Sequence, residues 1–294
     1  MESIDRIRME KQTHPGISAL SPFDIVCEYA GKPRADFQGD SHSALQVCIV
    51  LHGEAEMMLE GFSGKYREGE LWWNMCWEPH AYRLSGRNNF VMAINLDVEH
   101  LGACSPFGSC NWLAPFVAKP RKRYLPSTQE ERDFVRETGK RIFHACRKKT
   151  PNCQILCWLL IHELLIYAIN HMDWDELSGE LEESLGSFLR IRKALNEVWV
   201  ADARPPNLSD AAKMCGLSSS RFSELFRRTM GSSYGKFAIR IRMSNAANDL
   251  LSGNYSLEEI SLKWGFFDSS HFCHAFKKFY RISPSQFVSR KNNV

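Results

Sequence analysis

The apolar positions change period along the chain. Between residues 20 and 105 they come in short runs at 45–51, 54–59, 70–73 and 89–96, bounded by Gly, Asn and Ser. That spacing predicts an antiparallel β-sandwich or barrel. From 127 to 171 the period becomes helical, with Phe134, Ile142 and Phe143 on one helix and Pro151 opening a second. The second (L-C-W-L-L-I-H-E-L-L-I-Y-A-I) is apolar almost all round and must be buried by something. His162 and Glu163 interrupt its run at 155–169, so it is read as short of a membrane span. Residues 173–186 are acidic and polar, which predicts a linker. Leu185, Phe188, Leu189, Leu195 and Trp199 then mark a helix that Arg204-Pro205-Pro206 stops.

Beyond it the pattern repeats. N-L-S-D-A-A-K-M-C-G-L-S-S-S-R-F-S-E-L-F (207–226) and S-L-E-E-I-S-L-K-W-G-F-F-D-S-S-H-F-C-H-A-F (256–276) each predict a helix, a tight turn and a second helix. Asn207 and Ser256 are N-cap residues with Asp210 and Glu259 three positions on, a weak and a full capping box. Ala212 and Ser261 are small where two helices approach, and Gly216 and Gly265 can take the positive φ of the turn. Phe222, Leu225 and Phe226, like Phe272, Phe276 and Phe279, recur at helical spacing and hold each second helix to its domain. The opposite faces stay free: Ser219, Ser220, Arg221, Ser223, Glu224 and Arg227 in one, Ser270, His271, His274 and Lys277 in the other. This is the layout of a helix-turn-helix, whose second helix enters the DNA major groove. A connecting helix at 233–251 spans about 28 Å at roughly 1.5 Å per residue. A DNA turn is roughly 34 Å, so one chain can address two successive major-groove segments.

Residues 187–290 resemble the DNA-binding domain of the AraC/XylS family of bacterial transcription regulators. The resemblance rests on G-L-S-S-S-R-F-S-E-L-F-R-R (216–228), I-R-M-S-N-A-A-N-D-L-L (241–251) and W-G-F-F-D-S-S-H-F-C-H-A-F-K-K-F-Y-R-I-S-P-S-Q-F (264–287). Two positions depart from the family pattern. Phe267 stands where the family has a small polar N-cap, leaving that role to Asp268. Glu224 stands where a basic or amide residue faces bases; a carboxylate accepts from cytosine N4 but repels phosphate.

Charge agrees with a DNA partner. The whole chain carries only +3. Residues 187–294 hold 17 Lys+Arg against 8 Asp+Glu, and the remainder 20 against 26. Such asymmetry fits a nucleic-acid module fused to an acidic partner domain. Its length of 294 residues suits two or three domains. The first residues, M-E-S-I-D-R-I-R-M-E-K, lack the apolar core of a signal peptide. Ten scattered cysteines without a C-x-x-C pair are read as reduced thiols of a cytoplasmic, nucleoid-associated protein. Cys153 and Cys157 near His162 offer a metal site as the less favoured alternative.

Residues 20–105 resemble the cupin domain of many AraC-type regulators, best over 69–80, although Met75, Cys76 and Trp77 replace the usual Pro-x-Gly. Where metal-binding cupins carry ligands, this chain has Asp40, His42, Gln46 and His80, an incomplete set, so no metal or other cofactor is expected. A small effector, sugar or aromatic, is expected instead, against His42, Trp72, Trp77 and His80. Strand alternation sends Trp72 and Trp73 to opposite faces, and a core role for these tryptophans is equally open. The 127–171 helical pair resembles the dimerisation element of sugar-responsive family members; packing against the barrel is the alternative.

The resulting expectation is multidomain α and β. A cupin-like antiparallel β-barrel (1–120) precedes a helical pair (121–175), a linker (176–186) and an all-α DNA-binding domain with two helix-turn-helix units (187–294). Its function would be effector-controlled, sequence-specific regulation at promoter DNA, as a homodimer acting with RNA polymerase, without membrane association or enzymatic activity. A cupin metal enzyme fused to a DNA-binding region is the alternative, and a ligand-free architectural DNA binder a third reading.

Overall fold

The computed structural model describes residues 4, 7, 9–11, 17, 21–101, 111–148, 150–201 and 203–291. Among the described residues nine strands come first: β1 (Met9–Lys11), β2 (Phe23–Ala30), β3 (Gln38–Ser41), β4 (Leu45–His52), β5 (Glu54–Leu59), β6 (Phe62–Arg67), β7 (Leu71–Asn74), β8 (His80–Leu84) and β9 (Asn89–Leu96). Helices follow: α1 (Val98–Leu101), α2 (Ala114–Val117), α3 (Gln129–Arg147), α4 (Cys153–Asn170), α5 (Trp174–Val200), α6 (Leu208–Met214), α7 (Ser219–Met230), α8 (Tyr234–Ser252), α9 (Leu257–Lys263), α10 (Ser269–Tyr280) and α11 (Pro284–Lys291). The chain divides into two compact units. One comprises Gln12–Phe37 and His42–Leu185; the other comprises Gly186–Val294 with Met1–Lys11 and Gln38–Ser41.

In the first unit β2, β9, β4 and β7 form an antiparallel sheet in that order, with Gln46 opposite both Asn74 and Asn95. Strands β8, β5 and β6 belong to a second sheet. Val50, Met57, Leu59, Tyr66, Trp72, Leu84 and Val91 from both sheets close into one core. A closed barrel is not formed. Among the described residues β6 pairs with β5 alone and β7 with β4 alone, so both are edges and the two sheets stay an open sandwich. β1 pairs in parallel with β3, Met9 opposite Gly39, and this pair belongs to the second unit.

Helix α3 begins where Thr128 Oγ1 accepts from the Glu131 N–H and packs on β4 and α4. Gly139 permits that approach: a Cβ there would meet Leu51 Cδ2 at 2.7 Å. Helix α4 buries Cys157, Leu160, Ile161, Leu164, Leu165, Ala168 and Ile169. Its other face is not covered among the described residues: Ile155 and Leu159 are 61% exposed and Leu156 and Ile166 nearly half. At 18 residues, α4 is long and apolar enough by composition to cross a membrane, so the sequence reading of a stretch too short for one is corrected; the core helix of a soluble protein passes the same test.

The expected linker is helical. α5 runs unbroken through 174–186, because Leu177 and Leu181 are buried and continue the apolar stripe toward Phe188. In the second unit each short helix has its own cap. Asn207 Oδ1 accepts from the Asp210 N–H at 3.0 Å. At α9 the full box is present, with Ser256 Oγ taking the Glu259 N–H and the Glu259 carboxylate taking the Ser256 N–H at 2.7 Å. Gly216 and Gly265 take φ of +65° and +69°, the left-handed turns expected of them.

Candidate nucleic-acid interface and effector pocket

The second helix of each pair is positioned by aromatic packing. In α7, Phe222 and Phe226 are fully buried and meet Tyr234 at ring distances of 5.4 Å. In α10, Phe272 and Phe276 join Ile260, Trp264, Phe266 and Phe287 in one core, with Phe279 half-buried beside them. Trp264 Nε1 donates to Asp249 Oδ2 at 2.7 Å, tying that core to α8. Ala212 and Ser261 are buried at the helix crossings, and their carbonyls accept the N–H groups of Leu217 and Phe266.

The faces expected to stay open are solvent-exposed except at Ser223. Ser219, Ser220, Arg221, Glu224 and Arg227 are exposed on α7, with Ser223 half-buried; Ser270, His271, His274 and Lys277 are exposed on α10. Local bonds restrict two of them. Arg221 Nη1 donates to Glu224 Oε2 at 2.8 Å, and that bond with its charge holds the Glu224 carboxyl below the ordinary carboxylate value. Glu224 therefore stays ionised, its charge offset on its own helix. His271 Nδ1 accepts from the Phe267 N–H at 3.2 Å, which leaves Nε2 to face outward. Asp268 caps α10 through the His271 N–H, and Phe267, where a small cap residue is usual, is 87% exposed.

The first unit holds a cavity of about 250 Å3 at the open seam of the sandwich. Met57, Leu59, Phe62, Tyr66, Trp72, Trp73 and the segment from Pro120 to Leu125 line it. Arg123 fixes that segment. Its guanidinium clasps Glu78 with two 2.8 Å bonds and donates to the Trp73 and Ala118 carbonyls, all in a nearly dry setting. Trp72 and Trp73 do point to opposite faces. Trp72 sits in the inter-sheet core against Tyr66 and Tyr82, while Trp73 packs on Phe116 and donates to the Tyr124 carbonyl at 2.8 Å. Trp72 Nε1 is a buried donor without a partner among the described residues. Burial pushes the Tyr66 hydroxyl up to about 12, so it stays protonated. No sequence signal marked Phe62, Arg121 or Tyr124 for this cavity, because segments 50 residues apart build it.

Of the other ligand-facing expectations, His42, Trp77 and His80 are buried but do not line this cavity. Trp77 occupies the place of the usual glycine and takes the matching left-handed φ of +59°, its N–H bonded to the His42 carbonyl. The rings of His42 and His80 meet edge-on at 5.0 Å. His42 and His80 share the sandwich unit, whereas Asp40, the other expected ligand, belongs to the second unit, so the expected ligand set is split. Gln46 does not join the two histidines: its amide bridges Asn74 and Asn95 at 2.7 and 2.9 Å. The Cys153–Cys157 alternative is disfavoured. Burial pushes the Cys157 thiol up to about 11, and His162 Nδ1 is bonded to the Trp158 carbonyl.

Comparison with known proteins follows the same division. The profile of the helix-turn-helix domain family matches residues 211–290. A Haemophilus influenzae HTH-type transcriptional regulator is 30% identical over 132 residues, 44% of this chain but only 43% of that protein. The Msm operon regulatory protein of Streptococcus mutans is 27% identical over 93% of this chain and 96% of its own length. The transcriptional activator AarP of Providencia stuartii is 31% identical over 30% of this chain and 67% of its own. Among solved structures, ToxT of Vibrio cholerae superposes with a TM-score of 0.52 at 12% identity, covering 93% of this chain and 99% of that one, a likeness of fold. The chain belongs to the AraC/XylS family of helix-turn-helix transcription regulators.

Proposed function

We propose that this protein is a sequence-specific, DNA-binding transcription regulator whose output is set by a small effector bound in the first unit. The observation that carries the DNA reading is the pair of capped helix-turn-helix units. Each presents a polar, exposed second helix in a region holding 17 basic against 8 acidic residues. The bases would be read by Ser219, Ser220, Arg221, Ser223, Glu224 and Arg227 on α7 and by Ser270, His271, His274 and Lys277 on α10. Selection of binding sites from a random duplex library by the full chain, followed by a salt titration on the winner, tests this. Affinity falling steeply with salt and one enriched sequence are expected; no enrichment and a flat salt response overturn it.

The seam cavity is the effector site of this reading. Its aromatic walls suit a sugar face or an aromatic ring, and Trp72 Nε1 offers a donor with no competing partner among the described residues. A crystal structure of ToxT carries an unsaturated fatty acid, an apolar ligand in a protein of the same fold. For the ligand to regulate, it must favour one arrangement of the DNA-binding units over another. A thermal-shift screen of sugars and aromatic acids, repeated on Trp72→Phe, identifies the class.

The exposed stripe Ile155, Leu156, Leu159 and Ile166 on α4 supports a homodimer that pairs this face with its copy. Sedimentation of Leu159→Asp as a monomer would bear that out. Action at a promoter places the protein in the cytoplasm, at the nucleoid, with RNA polymerase as a further partner. A second reading, a metal-dependent cupin enzyme, draws on the adjoining imidazole rings of His42 and His80 in the sandwich. Bound iron by elemental analysis together with oxygen uptake would favour it.

A further inference from the structure

A second concavity, of about 320 Å3, lies wholly within the carboxy-terminal unit. Its lining runs from Arg204 to Leu208, takes Ser223 and Arg227 from α7, and adds the first turns of α8 from Ser233 to Arg242. Three of these residues are arginines, Arg204, Arg227 and Arg242, and none is acidic. No carboxylate among the described residues forms an ion pair with them.

Two of the arginines are held rather than loose, and Arg227 is exposed. Arg242 donates from Nε to the Trp264 carbonyl at 2.8 Å and from Nη2 to the Gly265 carbonyl at 3.0 Å, stacked 4.2 Å over Phe266. Burial, and then the charge of Arg204, holds its pKa below the ordinary value. The stem of Arg204 lies against Gly265, where a Cβ would meet its Cδ at 2.4 Å.

Helix α8 adds donors to the same space. Ser233 takes the N–H groups of Lys236 and Phe237, through its hydroxyl and its carbonyl. The N–H groups of Tyr234 and Gly235 remain at the positive end of a 19-residue helix, and both residues line the concavity. Around Gly235 the space is open, since a Cβ would meet nothing within 4 Å. The Tyr234 hydroxyl fixes the facing wall, donating to the Pro206 carbonyl at 2.6 Å.

We propose that this concavity is an oxyanion site, taking a phosphate or carboxylate between Arg204, Arg227, Arg242 and the first turn of α8. Its natural source rests on the DNA-binding reading. Ser223 and Arg227 belong to α7, so the anion is either a backbone phosphate of bound duplex or a small acid that competes with it. Arg204 lies outside both second helices and becomes a backbone-positioning residue, not a base reader.

The test uses the full chain, isotope-labelled, titrated with inorganic phosphate and separately with benzoate at constant ionic strength. A saturable shift of the Gly235 amide is expected with at least one probe, at least tenfold weaker in Arg204→Gln. Because the Arg204 stem packs on Gly265, Arg227→Gln at an exposed position is the second variant, with the same expected loss. A silent Gly235 amide, or equal binding in both variants, overturns the proposal. The source is then read from binding of a mixed-sequence duplex. A log–log salt slope shallower by about one in Arg204→Gln assigns a backbone phosphate; an unchanged slope alongside the tenfold loss of anion binding assigns a small acid. Duplex binding with a silent Gly235 rejects the site alone, whereas a responsive Gly235 without duplex binding rejects the DNA reading alone.

Discussion

The two units handle polar groups in opposite ways. In the sandwich they are buried and joined over long stretches of chain: Gln46 to Asn95, Trp73 to Tyr124, Arg123 to Glu78. In the carboxy-terminal unit most are local, three residues from their partners: Asn207 to Asp210, Ser218 to Arg221, Ser256 to Glu259, Asp268 to His271. The difference separates a scaffold that encloses a cavity from one that presents surfaces. An enclosed cavity needs its walls fixed by distant segments. A reading surface needs only that each short helix start in the right place.

The largest expected effect therefore lies in the sandwich. Arg123→Ala leaves the Glu78 carboxylate buried without its partner and frees the segment that walls the cavity. Breaking such a pair costs about 3–5 kcal/mol. Urea unfolding of the full chain followed by Trp fluorescence should show that loss, and any effector response should vanish with it. A loss of under about 1 kcal/mol would place Arg123 with surface ion pairs and erase the contrast.

The contrast also explains what the sequence reveals. Three-residue capping spacings, a glycine at each turn and aromatic repeats are local signals, so both helix-turn-helix units, their caps and their exposed faces are legible before folding. Even the replacement cap Asp268 is, because Phe267 cannot accept a backbone N–H. In the sandwich the strands are legible but their closure is not. Nothing local tells β6 and β7 to remain edges, and the cavity they border takes Phe62 and Tyr124 from segments no motif connects. Gln46 looked like a candidate ligand only until Asn74 and Asn95 occupied both ends of its amide. The expected linker does hold the boundary between the two units, after Leu185, but its helical form was hidden for a related reason. Its acidic, polar composition predicts a linker, yet Leu177 and Leu181 keep a buried helical stripe through it, and Gly179 and Gly186 have open space around them.

The reading faces should yield an intermediate effect, in binding rather than stability. His274→Ala and Ser270→Ala on α10 are exposed substitutions that leave the aromatic core intact. Each should relax preference at one base position by roughly 1–3 kcal/mol in competition with single-base operator variants. Glu224→Gln on α7 should strengthen binding to all duplexes and shift the preferred base, since it removes a negative charge from the face. Unchanged selectivity in all three would mean that the exposed faces do not read bases.

Smaller still are the caps, and here the two helix-turn-helix units can be compared with each other. Ser256→Ala removes the acceptor for the Glu259 N–H, and Asn207→Ala does the same at α6. Each should cost about 1 kcal/mol, seen as faster amide exchange confined to α9 or α6. Equal exchange throughout the unit would argue that the caps are coupled rather than local.

The smallest effect distinguishes the two caps by pH. Hydrogen bonds from the Ser256 backbone and hydroxyl hold the Glu259 carboxyl below its ordinary value. A carboxyl depressed in the folded state contributes stability that is fully present above its unfolded pKa, about 4.3, and lost as pH falls through the folded value. Protection of α9 amides should therefore decline below about pH 4.3. In Glu259→Gln the amide oxygen can still accept the Ser256 N–H but no longer titrates, so α9 protection should start slightly lower and stay level over that range. Because the carboxylate is fully exposed, the difference will be small and should shrink as salt is added. A wild-type profile as flat as that of Glu259→Gln would show that the reciprocal half of the box contributes nothing, making the second unit's cap no better than the first's.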